Sequence, residues 1–79
     1  MADKKYPEML KLKGKIVAEG KTQDEVAIEA GISKSAFHNK INGTTAFRID
    51  EVYRIAEVLN ISEEKYVEYF FEDLMRNAV

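Results

Sequence analysis

The chain has 79 residues, of which 12 are basic and 14 acidic, so its formal net charge is −2, and it contains no cysteine. A domain of this size has room for one hydrophobic core but not for a core and a deep catalytic cleft, which favours a binding protein over an enzyme. Without a disulfide framework the fold must depend on well-packed helices. The sequence shows no signal peptide and no apolar run near the roughly 20 residues that a membrane span needs, so we expect a cytoplasmic protein.

The charge is unevenly distributed along the chain. Residues 1–48 contain nine basic and six acidic side chains, a balance of +3, whereas residues 49–79 contain three basic and eight acidic, a balance of −5. Only the half that faces a polyanion needs to be positive, so the net charge does not exclude binding to nucleic acid. We expect residues 1–5 to be a mobile tail and residues 6–79 to form a single domain.

A first helix is predicted close to the N-terminus. Pro7 suits its first turn, Leu12 and Ile16 form its buried stripe, and Gly20 ends it near position 19. Gly14 lies inside this run and costs about 1 kcal/mol relative to alanine. This glycine therefore either allows a close helix crossing or is merely tolerated.

The second helix has clear start and stop signals. Thr22 and Glu25 have the spacing of a capping box, and Asp24 adds negative charge at the positive end of the helix. Gly31 can adopt the left-handed conformation that ends a helix, and Ser33 can cap the next one. A tight turn therefore joins two helices.

The third helix, residues 34–42, has an unusual outer face. Phe37 and Ile41 share a buried stripe, while the side chains opposite or flanking it are short, polar or basic: Lys34, Ser35, His38, Asn39 and Asn42. Serine and asparagine are poor helix formers, so their presence here needs another reason. Asparagine can bond both the donor and the acceptor on an adenine edge, and lysine reaches guanine or phosphate. The face is therefore either ordinary solvated surface or a surface that reads DNA.

Two further helices are predicted. The fourth opens at Asp50 or its neighbour, buries Val52, Ile55, Ala56 and Leu59, and ends at Asn60. Ser62 caps a fifth helix, about 63–76, whose apolar band covers more than half of its circumference. A band this wide predicts a dimer interface, unless a cramped core takes all of it. The interface residues would be Tyr66, Tyr69, Phe70, Phe71 and Leu74.

Two stretches carry a family resemblance: TQDEVAIEAGISKSAFHNKING and RIDEVYRIAEVLNIS. They resemble the helix-turn-helix domains of lambda-repressor-like and Cro-like phage regulators, also called the XRE type, over about residues 8–62. The resemblance implies an all-α, compact five-helix domain. The chain departs from the family pattern at Lys21 and Lys40, where many members have an apolar residue.

The resemblance also implies roles for individual residues. Family positions that contact bases correspond in this chain to Lys34, Ser35 and Asn39. Family positions that contact the DNA backbone correspond to Gln23, Ser33 and Asn42. His38 is the only histidine and, on an exposed helix face, is expected to be solvated or to contact phosphate. We expect a homodimer on a two-fold operator, held together by the aromatic side chains of the fifth helix.

The functional expectation is a sequence-specific regulator of transcription, acting as a repressor on a double-stranded DNA operator. The rival hypothesis is a protein-interaction module, antitoxin-like or an adaptor, that keeps the helix-turn-helix fold and binds a protein partner through its acidic, aromatic C-terminal half. Catalysis is not expected, because the sequence has no glycine-rich phosphate loop and no metal-ligand pattern. We therefore expect neither a cofactor nor a metal.

Overall fold

The computed structural model describes residues 5–72, which form four α-helices and a C-terminal helical segment without any strand. The α-helices are α1 Leu10–Ala18, α2 Gln23–Ala30, α3 Lys34–Ile41 and α4 Ile49–Val58. The C-terminal segment contains a 3₁₀ turn at Glu63–Lys65 and a π-helical turn at Val67–Phe71. The all-α fold of five helices is confirmed. The fifth differs from the predicted α-helix in its geometry, and its predicted end lies outside the described residues.

The first helix starts later than predicted. It begins at Leu10, so Pro7 precedes the helix instead of occupying its first turn. Gly20 has a φ of 71° and ends the helix as expected. A Cβ added to Gly14 would meet nothing within 4 Å, so this glycine is tolerated on the surface and allows no close crossing.

Pro7 is displaced from the helix because the N-terminal segment is tied to the end of α3. The amides of Lys5 and Tyr6 both donate to the carbonyl of Gly43 at 2.9 Å, and the amide of Met9 donates to the carbonyl of Ile41 at 2.9 Å. Lys5, assigned to a mobile tail by sequence, is thus held by a hydrogen bond. Residues 1–4 of that predicted tail lie outside the described residues.

Local signals specify the turn between α2 and α3. The Thr22 hydroxyl accepts from the Glu25 amide at 3.1 Å, and the Glu25 carboxylate accepts from the Thr22 amide at 2.8 Å. Gly31 adopts the left-handed conformation with φ 71°, and the Ser33 hydroxyl accepts from the Ala36 amide at 3.1 Å. The predicted capping box, C-cap and N-cap are all confirmed.

A single core holds the helices together, with α2 packed on both α3 and α4 and α1 packed on the C-terminal segment. Aromatic rings extend this core from α3 to the C-terminal segment. The ring centroids of Phe37 and Phe47 are 5.7 Å apart, those of Phe47 and Phe70 are 6.5 Å apart, and those of Phe70 and Tyr66 are 6.1 Å apart. Packing of these rings therefore couples the orientation of α3 to the C-terminal segment. No helix between residues 5 and 72 is long and apolar enough to cross a membrane.

The wide aromatic band of the C-terminal segment is mostly used within the chain. Phe70 is 1% exposed and belongs to the core, which corrects its assignment to a dimer interface. Tyr66, Tyr69 and Phe71 are partly buried against the same core, and Leu74 lies outside the described residues. Tyr66 contacts Tyr53 of α4, whereas Tyr69 lies beneath Lys15 of α1. The tyrosines therefore point to different neighbours and do not form one continuous face.

Candidate nucleic-acid interface

Helix α3 is fixed by its buried stripe and exposes the opposite face. Phe37 and Ile41 are fully buried, as predicted, while Lys34, Ser35 and Asn39 are exposed. Because residues four apart share a face of a helix, Ser35 and Asn39 form one stripe and Lys34 and His38 form the next. The sequence-predicted recognition face is therefore brought together on the surface.

The polar side chains at the centre of this face have no partner in the part of the chain that the structure describes. Within residues 5–72, the side chains of Lys34, Ser35 and Asn39 make no hydrogen bond or ion pair, and neither does that of Gln23 at the start of α2. Such groups are hydrogen-bonded only to water, so they can exchange that water for a ligand without breaking an internal bond. Lys34 differs in this respect from most other charged residues between positions 5 and 72, which have an ion-pair partner.

Three other predicted contact residues are already engaged. The Ser33 hydroxyl caps α3. His38 Nε2 lies 2.9 Å from Asp24 Oδ1, and Asn42 Oδ1 accepts from Lys13 Nζ at 2.7 Å. The His38 and Asp24 side chains are 44% and 51% exposed, so their pair contributes only about 0 to 1 kcal/mol to stability. A contact of Asn42 with DNA would have to use its remaining amide nitrogen.

Ion pairs neutralise most of the positive charge that the first half of the sequence indicated. Each of the following cations lies within 4 Å of a carboxylate: Lys11 with Glu72, Lys13 with Glu8, Lys15 with Glu19, Lys21 with Glu29, Lys40 with Glu51, and Arg48 with Asp50. On the recognition face, Lys34 is the cation that has no such partner in the described part of the chain. The surface is therefore less positive than the half-chain balance of +3 suggests.

One of these pairs is buried and holds the C-terminal end of α3. Lys40 Nζ lies 2.6 and 2.7 Å from the two oxygens of Glu51, and the side chains are 15% and 8% exposed. Glu51 also accepts from the Arg48 amide at 2.8 Å, which caps α4. Burial raises the pKa of the Glu51 carboxyl, but the bonds from Arg48 and Lys40 outweigh burial, so that pKa lies below its ordinary value of 4.5.

The sequence did not predict this buried pair. Its only signal was the departure from the family pattern at Lys40, a position where many members have an apolar residue. Between residues 5 and 72 no group of three or more histidine, cysteine, aspartate or glutamate side chains is placed to hold a metal ion. The chemistry available at the recognition face is therefore hydrogen bonding and charge.

Comparison with known proteins supports the helix-turn-helix assignment. The family model DUF739, described as a protein of unknown function, matches residues 6–73. The solution structure of the modulator of repression of the temperate bacteriophage TP901-1 from Lactococcus lactis is 28% identical, with a TM-score of 0.71 over 87% of this chain and 93% of that one.

A second similar structure is the restriction-modification controller protein C.Esp1396I. It is 14% identical, with a TM-score of 0.70 over 89% of this chain and 91% of that one, and it shows the fold alone. No curated protein sequence matches the chain. The predicted lambda-repressor-like, XRE-type fold is confirmed, and the similar structures come from regulatory proteins.

Proposed function

We propose that this chain, which belongs to the DUF739 family, is a sequence-specific, double-stranded DNA-binding regulator of transcription that acts as a repressor in the cytoplasm. The observation that carries the proposal is the exposed face of α3 formed by Lys34, Ser35 and Asn39, whose side chains make no hydrogen bond or ion pair within residues 5–72. It lies on the second helix of a helix-turn-helix, which in this class of protein enters the major groove.

The residues of the face divide into two roles. Lys34, Ser35 and Asn39 contact base edges, with the Asn39 amide suited to adenine and Lys34 to guanine. Gln23, at the first position of α2, and Ser33 contact the DNA backbone and set the register without reading sequence. His38 is a weaker candidate for backbone contact, since Asp24 already engages it. Asn42 accepts from Lys13 through Oδ1 and would donate to a phosphate through its amide nitrogen.

The ion pairs lead to a specific expectation for the salt dependence of binding. Each neutralised phosphate adds about 0.9 to the slope of log affinity against log salt. If Lys34 and the six paired cations, seven in all, were available to phosphates, the slope would be steep. Because six of them are paired with carboxylates, we expect a slope of only about 1 to 3. Affinity would then depend mainly on hydrogen bonds to the preferred sequence.

The test is selection of bound sequences from a random duplex library, followed by affinity measurements on the selected duplex. The double variant Lys34→Ala/Ser35→Ala should lose the selected sequence. The control Ser62→Ala/Lys65→Ala removes the same side-chain types from the exposed start of the C-terminal segment and should bind normally. The proposal is abandoned if no sequence is enriched and no duplex is retained at low salt.

We also propose a homodimer on a two-fold operator, because paired recognition helices must be spaced by about one turn of DNA. The exposed apolar side chains of α4 and the C-terminal segment suit such a contact: Ile49 is 65% exposed, Tyr53 is 54% exposed and Val67 is 55% exposed. The partly buried Tyr66, Tyr69 and Phe71 would lie at its margin. Sedimentation at micromolar concentration should show a dimer that Tyr53→Ser weakens, and a strict monomer with and without DNA would refute it.

A protein-interaction module is the second candidate function, and one feature favours it. In the described part of the chain the carboxylates of Glu57, Glu63 and Glu64 have no ion pair. Glu57 and Glu63 lie near Tyr66, whose ring contacts Tyr53. Burial, then the nearby Glu63, Tyr53 and Glu57, raises the pKa of the Tyr66 hydroxyl. An acidic, aromatic surface of this kind suits a basic partner. Failure to bind duplex DNA at low salt would make this the preferred function.

A further inference from the structure

The contact between Asp24 and His38 lies on the edge where α2 meets the recognition face. Asp24 is the second residue of α2 and follows Gln23, the proposed backbone contact. His38 shares a helical stripe with Lys34 and precedes Asn39, both proposed base contacts. The distance between His38 Nε2 and Asp24 Oδ1 is 2.9 Å. A carboxylate therefore lies beside the residues that would receive DNA.

Geometry and exposure separate this pair from the buried one in the same domain. The Lys40 and Glu51 side chains are 15% and 8% exposed, whereas His38 and Asp24 are 44% and 51% exposed. Solvent screens an exposed pair, so the fold depends little on it. Asp24 also places negative charge at a helix N-terminus, which is where a phosphate would otherwise be attracted.

We propose that Asp24 limits the affinity of the recognition face for any duplex, so that binding depends on the sequence-specific contacts of α3. This proposal rests on the DNA-binding function. The carboxylate repels approaching phosphates whatever the sequence. The repulsion lowers the affinity for every duplex by a similar factor, whereas the favourable contacts of Lys34, Ser35 and Asn39 are available only on the correct sequence. Only a duplex that offers those contacts is then bound tightly.

The pair also changes what His38 can do. When Nε2 donates to Asp24, only Nδ1 remains, and in a neutral ring Nδ1 is an acceptor. A phosphate oxygen is an acceptor too and cannot bond it, whereas the amino groups of adenine and cytosine in the major groove can donate to it. His38 is thereby better suited to a base amino group than to the DNA backbone contact predicted from sequence.

The experiment compares Asp24→Asn with Glu29→Gln by fluorescence anisotropy on a selected duplex and on a random-sequence duplex. Asp24→Asn removes the charge but keeps an oxygen that accepts from His38. Glu29→Gln makes the same charge change on the same helix, at a residue that pairs with Lys21 and lies beside Arg54 and Glu57 of α4. Circular dichroism should show unchanged helix content in both.

We expect Asp24→Asn to raise affinity at low salt by about fivefold for the random duplex and by a similar factor for the selected duplex. The gain should disappear at high salt, where charges are screened. Glu29→Gln should change neither affinity appreciably. If the two variants behave alike, or if Asp24→Asn weakens binding, the inference is wrong while DNA binding stands. If wild type and both variants fail to bind any duplex, the proposed function falls together with the inference.

Discussion

The two ends of α3 differ in how their side chains are used. At the C-terminal end, Lys40 donates to the buried Glu51, Asn42 accepts from Lys13, and the carbonyl of Gly43 accepts two amides of the N-terminal segment. Each of these bonds joins α3 to a different part of the chain. This end of the helix is held in place from several directions.

At the N-terminal end only the cap is engaged, through Ser33. Lys34, Ser35 and, further along the same face, Asn39 are exposed, and their side chains make no hydrogen bond or ion pair within residues 5–72. A helix of eight residues can therefore be held in position by bonds at one end while side chains on its exposed face stay accessible to a ligand. Substitutions at the two ends should therefore separate stability from binding.

The largest effect is expected from Gly43→Ala, which attacks the anchored end. Gly43 has a φ of 94°, and a Cβ there would overlap the Tyr6 carbonyl oxygen. Backbone strain and overpacking together should lower the free energy of unfolding by about 3 kcal/mol or more. Urea denaturation measures it. The control Gly14→Ala places the same methyl group in open space on α1 and should raise stability by about 1 kcal/mol. Equal effects would show that Gly43 is no anchor.

A smaller loss is expected from Lys40→Met, which leaves the Glu51 carboxylate buried without its cation. Stability should fall by about 2 to 3 kcal/mol. Because the cost comes from the uncompensated charge, the double variant Lys40→Met/Glu51→Gln should regain part of it. Lys65→Met, which breaks an exposed pair with Glu68 at 3.7 Å, is the control and should change stability by less than about 0.5 kcal/mol.

Substitutions of the exposed polar side chains should change DNA binding and leave stability unchanged. Asn39→Ala should cost about 1 to 3 kcal/mol of affinity for the selected duplex and relax the preference at one base pair. Gln23→Ala should weaken binding to all sequences alike, since a backbone contact carries no sequence information. Thermal unfolding of both variants should match wild type. If Asn39→Ala loses specific and non-specific binding equally, the face does not read bases through this residue.

The smallest effect concerns the pH dependence of the anchor. The folded pKa of Glu51 lies below 4.5, so its contribution to stability is present above the unfolded pKa and is lost as the pH falls through the folded value. Wild type should therefore be more stable than Glu51→Gln at about pH 7, and the difference should shrink towards about pH 3. A difference that stays constant over this range would show that the charge of Glu51 does not matter.

The sequence predicted the parts of the fold that local signals control. The capping box at Thr22, the left-handed Gly31, the cap at Ser33 and the buried stripe of α3 each depend on residues close together in the chain. Their chemistry is the same before and after folding, so a pattern suffices to find them. The exposed face of α3 follows from the same periodicity.

The features that the sequence did not predict have a common cause, because each depends on a contact between residues that are far apart in the chain. The pairs of Lys40 with Glu51 and of Lys13 with Asn42 depend on how helices meet, and counting charges over half the chain could not show that most of them cancel. The sequence pattern predicts a helix and a tail for the N-terminal segment. The hydrogen bonds that hold this segment join it to Gly43, which lies 37 residues after Tyr6, so no local pattern could indicate them.

The C-terminal segment was the other miss. On an α-helix the aromatic side chains of this segment would form one broad band. A π-helical turn at Val67–Phe71 changes the angle between successive side chains, and Phe70 is buried in the core. The core within one chain therefore takes more of the band than the sequence pattern indicated. The dimer remains a prediction, and it now rests more on Tyr53 and Val67 than on Phe70.

Within residues 5–72 the side chains of Lys34, Ser35 and Asn39 make no internal bond, which has a consequence for how such a protein evolves. Exposed side chains that pack against nothing can be replaced at little cost to folding. Mutations at these positions would alter what α3 recognises while leaving the domain intact. Lineages that carry this fold can therefore diverge in their targets one codon at a time, without passing through an unstable intermediate.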